Sequence, residues 1–291
     1  MNLNWYPGHM AKSFRLLKTE LQRVQLVIEC CDARIPLASR NPKIRELCGN
    51  KDRVLLLTKS DLAAPEMTKE WLEALKAEGE DCLAIDLKSK QALKEVERLI
   101  KPYRDKLAAR DKQRGRRPRP LTIACLGIPN VGKSTLGNLL LGRSSHATEN
   151  RPGLTRSITF ITSRNKRYEL MDSPGLLWPK LETKLAQVQL AICMAIPDSL
   201  IPLEELALDF LLIWNQLAPD SFKDFFTVEK VTNYEEARQA LEEYALKQQL
   251  LAKGGEADYL RAAERLLQQY RQGRLTELSL ERPGIELNLA E

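Results

Sequence analysis

The sequence predicts an α/β fold, a mostly parallel sheet with helices on both faces, followed by a small all-α domain. Three observations carry this. Apolar runs of strand length alternate with stretches of helical spacing through the first 200 residues, the pattern of strands joined by crossover helices. A glycine-rich segment, Gly127-Ile-Pro-Asn-Val-Gly-Lys-Ser134, stands between a strand-like and a helix-like stretch. Beyond residue 200 only helical spacing remains.

In chain order, residues 24–31 form a near-continuous apolar run, as expected of a strand buried on both faces. Residues 53–57 form a second, and a helical stretch at 65–79 separates it from a third strand at 82–87. An amphipathic helix follows, with Leu93, Val96, Ile100, Tyr103 and Leu107 on one face. Pro102 interrupts its pattern and is a candidate kink. A strand at 121–126, a helix opening at Gly132, and strand-like runs at 157–162 and 168–171 complete the first domain, residues 1–199. Helical spacing over 204–217, 235–252 and 256–272 defines the second, residues 200–291. There is no internal repeat.

A chain of 291 residues with 43% hydrophobic content can bury one substantial core and a smaller second one. Cys30, Cys31, Cys48, Cys82, Cys125 and Cys193 form no C-x-x-C pair, and most sit in apolar runs, so they read as reduced structural cysteines of a cytoplasmic protein. His9 and His146 are too few to complete a zinc site with them. The N-terminus lacks the pattern of a signal peptide, and no uncharged run reaches the ~18 residues of a membrane span. A net charge of +6 permits nucleic-acid contact without demanding it. The stretch at 112–120, Lys-Gln-Arg-Gly-Arg-Arg-Pro-Arg-Pro, is either a solvated linker or a phosphate-contacting arm.

Gly127 to Ser134 fits G-x-x-x-x-G-K-[ST], with a strand before it and a helix after it, the context the motif requires. Its glycines let the backbone curl, so that N–H groups over Asn130, Val131, Gly132, Lys133, Ser134 and Thr135 face phosphate oxygens at a helix N-terminus. Lys133 would neutralise the β- and γ-phosphates, and the Ser134 hydroxyl would ligate Mg²⁺. Asp172-Ser-Pro-Gly175 follows a strand some 40 residues later, where a carboxylate can hold Mg²⁺ through water and the Gly175 N–H can meet the γ-phosphate. Between them Thr155, in Arg151-Pro-Gly-Leu-Thr155, is a candidate second hydroxyl ligand.

The base-recognition element comes earlier in the chain. Thr58-Lys59-Ser60-Asp61 ends a strand and is similar to the N/T-K-x-D signature of GTPases. A carboxylate there accepts from guanine N1–H and the exocyclic amine, a pair adenine cannot offer, so the unmatched Asp61 would penalise ATP. The Lys59 stem would pack along the base. Asp86-Leu87-Lys88, at the next strand end, stands where an N–H at Leu87 could reach guanine O6. The order is therefore base element, phosphate loop, switches: a circular permutation. A nucleotide meets loops at the carboxyl ends of strands whatever their chain order. The basic linker joins the ancestral termini at the amino end of the phosphate-loop strand, away from the nucleotide and closer to an RNA role.

Asn4-Trp-Tyr-Pro-Gly-His-Met-Ala-Lys12, Asp32-Ala-Arg-Ile-Pro36 and the permuted order together resemble the circularly permuted ribosome-assembly GTPases of the YlqF/RbgA type. The resemblance spans the first domain nearly end to end and continues, more loosely, into the helical tail. It implies a P-loop GTPase that binds GTP/GDP and acts in maturation of the bacterial large ribosomal subunit, binding its rRNA, with a helical C-terminal domain on RNA. One departure is Thr58, where the family usually has Asn; Thr can do only part of what Asn does, and guanine selectivity is expected to rest on Asp61.

Hydrolysis would be in-line attack of water on the γ-phosphoryl, catalysed by positioning and charge neutralisation. Leu176 stands where Ras-like proteins place a water-orienting glutamine. The resemblance makes His9 the catalytic candidate in its stead, with Lys133 as the phosphate cation. Asn130 is a candidate K⁺ ligand beside the phosphates. The rival readings are an rRNA-binding scaffold with vestigial nucleotide turnover and an ATP-using P-loop phosphotransferase. A monomer without membrane or DNA partners is expected.

Overall fold

The computed structural model describes residues 16–142, 159–172 and 183–289. Its strands are β1 (Leu26–Asp32), β2 (Asp52–Thr58), β3 (Cys82–Ile85), β4 (Leu121–Gly127), β5 (Thr159–Thr162) and β6 (Tyr168–Asp172). They lie in the order β3-β2-β1-β4-β6-β5, all parallel except β5, which runs antiparallel to β6. Successive strands step outward from β1 to β3, and the chain then returns to place β4 on the other side of β1. The carboxyl ends of β1 and β4 therefore flank a topological switch point, where open α/β sheets leave a crevice for a ligand.

Alternation at period two decides the layers. Leu26, Ile28 and Cys30 of β1, with Leu121, Ile123 and Cys125 of β4, enter the large apolar cluster on one face. Val27, Ala124 and Leu126 point to a second cluster on the other face, and Cys31, Leu55 and Leu57 to a third. Both faces are covered, which is why the strands read as unbroken apolar runs rather than alternating ones.

Helices α1 (Pro42–Cys48), α2 (Pro65–Ala77), α3 (Ala92–Gln113), α4 (Lys133–Leu141) and α5 (Lys184–Ile192) belong with the sheet. The short α1 follows from local chemistry: Asn41 caps it by accepting from the Lys43 N–H at 3.0 Å, and Pro42 starts its first turn. Helix α3 runs on through Pro102, burying Ala92, Val96, Ile100 and Leu107, whereas Leu93 is 40% exposed. The third strand ends at Ile85, so Asp86 and Leu87 lie in the turn beyond it. The last strand extends to include Asp172.

Helices α6 (Leu203–Leu217), α7 (Pro219–Phe225), α8 (Tyr234–Lys247) and α9 (Tyr259–Arg271) follow. Trp214 is their centre, wholly buried with Phe210, Phe222, Phe225 and Phe226 ringed about it at 5.5–5.6 Å between centroids. The short α7, which the spacing did not announce, places three of those rings in or beside it. One apolar cluster runs from the sheet through α5 into these helices. The C-terminal segment then returns to the sheet: the Leu280 N–H donates to the Arg34 carbonyl at 2.8 Å, and Arg282 grips Glu70 through two bonds of 2.6 and 2.8 Å.

Candidate functional site

Register sets the site. Asp32 of β1 lies level with Thr58 of β2, Thr58 with Ile85 of β3, and Cys30 with Gly127 of β4. The segments that leave these four strands therefore emerge side by side.

After β4 the chain makes the tight turn that carries the glycine-rich motif. A Cβ on Gly127 would collide with the Cys30 carbonyl, so only glycine lets β4 leave the sheet so close to β1. Asn130 takes a left-handed backbone at φ 58°, and Gly132 another at φ 94° just before α4 begins at Lys133. The first N–H groups of α4 have no carbonyl within their own helix and are available to an anion. Lys133 folds back, donating to the Ile128 carbonyl at 2.5 Å, and burial lowers its ammonium pKa to about 8. Ser134 is half-buried in the first turn, Thr135 is exposed and Val131 is buried.

The base-recognition loop abuts this turn. The Thr58 hydroxyl lies 2.6 Å from the Val131 carbonyl and 3.0 Å from the Cys31 carbonyl, sharing its one proton between them. Thr58 thus keeps the brace to the phosphate loop that its asparagine counterpart would supply. Gly132 faces the Leu87 and Thr58 side chains, so a Cβ there would press on Leu87 and touch Thr58. Lys59 takes a left-handed backbone at φ 57°, and Ser60 and Asp61 lie in the short turn Ser60–Leu62. The Asp61 side chain is exposed, and among the described residues nothing bonds its carboxylate. Asp86 is occupied locally, accepting from the Lys88 N–H at 2.8 Å.

Two features under these loops were not assigned a role from sequence. Asp32, 1% exposed at the end of β1, receives Arg34 in a bidentate pair at 2.8 and 2.9 Å and Lys59 at 2.9 Å. Burial opposes its ionisation, but the two cations outweigh burial and hold the carboxyl well below the usual range. Lys59 is therefore aimed by a fixed charge. The second is Glu281. Its carboxylate accepts from the Leu37 N–H at 2.6 Å and the Ala38 N–H at 2.8 Å, clamping the loop after β1. Burial pushes its pKa up to about 7 against those two bonds. Nearby Ser279 accepts from the Ala64 N–H at 3.1 Å, and the Trp71 indole donates to the Glu281 carbonyl at 3.2 Å. The Asp32-Ala-Arg-Ile-Pro36 string signalled the first feature; nothing in Glu281-Arg-Pro-Gly284, an ordinary turn sequence, signalled the second.

The Asn130 amide nitrogen donates to the Met194 carbonyl at 2.7 Å, just beyond the end of α5, linking the phosphate loop to the path into the C-terminal helices. Arg271 of α9 grips the same helix end, donating to the Ala191 and Ile192 carbonyls and pairing with Asp198. Asp172 is placed as the last residue of β6. His9, Thr155 and Gly175 lie outside the described residues. All six cysteines are buried thiols outside any disulfide, and burial drives the Cys30 and Cys193 thiols up to about 12. Among the described residues, no three His, Cys, Asp or Glu side chains gather to hold a metal ion, and no helix is long and apolar enough to cross a membrane.

Comparison with known proteins agrees with this arrangement. Residues 122–250 match the family described as 50S ribosome-binding GTPase. The chain is 36% identical over 287 residues to ribosome biogenesis GTPase A of Bacillus cereus, covering 97% of this chain and 95% of that protein. Its fold is similar to a GNP-bound crystal structure of YlqF from T. maritima, with a TM-score of 0.68 at 23% identity over 94% of this chain and 99% of that one. A GDP-bound YlqF structure aligns with a TM-score of 0.66 at 25% identity, covering 92% and 98%.

Proposed function

This chain belongs to the ribosome biogenesis GTPase A family, and from that premise we propose that it is a GTP-hydrolysing assembly factor for the large ribosomal subunit, binding rRNA in a nucleotide-dependent way. The observation that carries the reading is the seam between the two loops: Thr58 bonds the Val131 carbonyl, and Gly132 packs against Thr58 and Leu87. A phosphate turn and a guanine-type loop so joined suit one nucleotide lying across the switch point. Residues 1–199 are the permuted G domain, and residues 200–291 are the RNA-facing helical domain. The protein works as a cytoplasmic monomer.

In this site Lys133 and the first N–H groups of α4 hold the β- and γ-phosphates. Burial depresses the Lys133 pKa, and a polyanion beside it would raise that pKa again and gain from a desolvated partner. The Asp61 carboxylate, without a partner among the described residues, takes guanine N1–H and the exocyclic amine, while Lys59, aimed by Asp32, lies along the base. Ser134 in the first turn of α4 and Asp172 at the end of the neighbouring β6 are a hydroxyl and a carboxylate of the hard-oxygen kind that suits Mg²⁺. Bound there with Thr155, Mg²⁺ would neutralise charge on the β- and γ-oxygens. The Asn130 nitrogen is engaged, which leaves its amide oxygen as the candidate K⁺ ligand. His9 orients the attacking water, and Gly175 meets the γ-phosphate.

GTP turnover in potassium buffer, with and without purified large ribosomal subunits, tests the proposal. Strong stimulation by the subunits is expected, and a rate that ignores them would remove the ribosome from the account. Replacing KCl by NaCl should slow turnover, and equal rates would count against the K⁺ site. His9→Ala should lower stimulated turnover with GTP affinity intact; unchanged turnover would return His9 to a binding role.

A further inference from the structure

The amino end of the sheet, opposite the nucleotide loops, carries charge that the site does not use. The last turn of α3 carries Arg110 and Lys112, and the segment from there to β4 carries Arg114, Arg116, Arg117 and Arg119, all exposed. The turn between β5 and β6 adds Arg164, Lys166 and Arg167, also exposed. The two segments are neighbours, because the Leu121 N–H at the start of β4 donates to the Arg167 carbonyl at 3.0 Å. Among the described residues, Arg119 and Arg167 alone of these meet a carboxylate, Asp111 at 3.2 Å and Glu97 at 3.6 Å. The other seven have no acidic partner among the described residues.

The cationic arm is also held in shape. Asp111, 1% exposed, anchors it twice: its carbonyl accepts from the Arg116 N–H at 2.9 Å, and its carboxylate accepts from Arg119. Gly115 at φ 63° closes α3 in a left-handed turn, and Pro118 and Pro120 stiffen the exit. The neighbouring turn is fixed by the Ser163 hydroxyl, which bonds Asn165 and accepts from the Tyr168 N–H. The cations are thus presented on braced backbone rather than on a loose tether.

We propose that these two segments form a phosphate-tracking surface for RNA, separate from the nucleotide site. It rests on the ribosome-assembly reading and places one of the RNA contacts that reading needs on the G domain. Arginine predominates, and its planar fork binds phosphate oxygens in pairs. Apart from Pro118 and Pro120, residues 112–120 and 163–167 contain only polar residues and glycine, without the Trp, Phe or Leu that anchors a segment in a lipid interface. A polyanion with regularly spaced phosphates is the chemistry that fits. β4 spans seven residues, so roughly 20 Å separates this end from the phosphate loop, and the surface can be altered without touching the nucleotide.

The test uses the full chain and its triple variant Arg114→Gln/Arg116→Gln/Arg117→Gln. Binding is measured to a 20-base-pair RNA duplex and to purified large subunits across a KCl series, alongside turnover without subunits. Each phosphate contact contributes about 0.7–0.9 to the slope of log affinity against log salt. Loss of three should flatten that slope by roughly 2–3 and weaken duplex binding at least tenfold, with basal GTP turnover unchanged. A second variant, Arg164→Gln/Lys166→Gln, should flatten the slope by roughly 1.4–1.8. Unchanged slopes in both variants, with the parent bound to both probes, would overturn the surface and leave the assembly reading standing. A parent that binds neither probe would overturn both. Lost binding to vesicles containing phosphatidylglycerol, with RNA binding intact, would assign the cations to a membrane and overturn the proposal.

Discussion

The two ends of the sheet differ in what their cations do. At the carboxyl end Arg34 and Lys59 converge on Asp32, Lys133 is tied to the Ile128 carbonyl, and Glu281 clamps the loop between them. At the amino end seven exposed cations have no acidic partner among the described residues. The first arrangement places groups to within a bond length around a small ligand before it arrives, which lowers the ordering cost of binding. The second leaves charge solvated and spread along a braced strip, which suits a long polyanion whose affinity comes from counterion release. One sheet presents two kinds of recognition because backbone N–H groups and strand-end loops gather at one end, while the permutation linker is confined to the other.

The comparison can be broken at its strongest point first. Lys133→Ala should cut GTP turnover on the order of 10²–10³-fold, the scale set by removing one group aimed at transition-state charge. Steady-state kinetics would check this, and a loss below about threefold would contradict the placement. Asp61→Asn removes a charged acceptor worth about 1.5–3 kcal/mol, so GDP affinity should fall roughly 10–150-fold with ATP affinity little changed. Titration with both nucleotides separates this from a general loss of binding.

Glu281→Ala leaves two buried N–H donors unsatisfied and should cost about 1–3 kcal/mol of stability, read as a lower denaturant midpoint. The same group gives a pH signature. Its pKa rises on folding from the ordinary 4.5 to about 7, so the folded chain binds the extra proton between those values. Its contribution to stability therefore falls as pH rises through that window and levels off above about 7. Glu281→Gln should lose that slope, and an unchanged slope would show that another group carries it. The smallest effect sharpens the comparison instead. Thr58→Val removes one hydroxyl from the loop seam and should weaken GDP binding by about 1 kcal/mol, roughly fivefold, with the fold intact.

Most of the nucleotide loop was legible in the sequence because its requirements are local. Gly127 and Gly132 satisfy backbone conformations and close approaches that a linear motif records. The permuted order was legible for the same reason, since each element sits at the end of an apolar run. What escaped depends on residues far apart in the chain. Glu281 reaches Leu37 across 244 positions, and no periodicity announces such a contact. Asp32 was visible as part of a family string, but its role as the anchor of Lys59 needed the register of β1 against β2. Leu93 was misplaced because a helical stripe fixes spacing better than phase: Ala92 is buried and Leu93 is not. The linker at 112–120 reads two ways from its composition, and only the fold, through the Leu121–Arg167 bond, places a second basic segment beside it.

The most direct test of the central claim, a guanine-nucleotide site at the carboxyl end of this sheet, is displacement of fluorescent GDP from the full chain by unlabelled GTP and by ATP. The account predicts displacement by GTP at concentrations where ATP is without effect, and loss of that discrimination in Asp61→Asn. Equal displacement by ATP and GTP from the parent chain would contradict it.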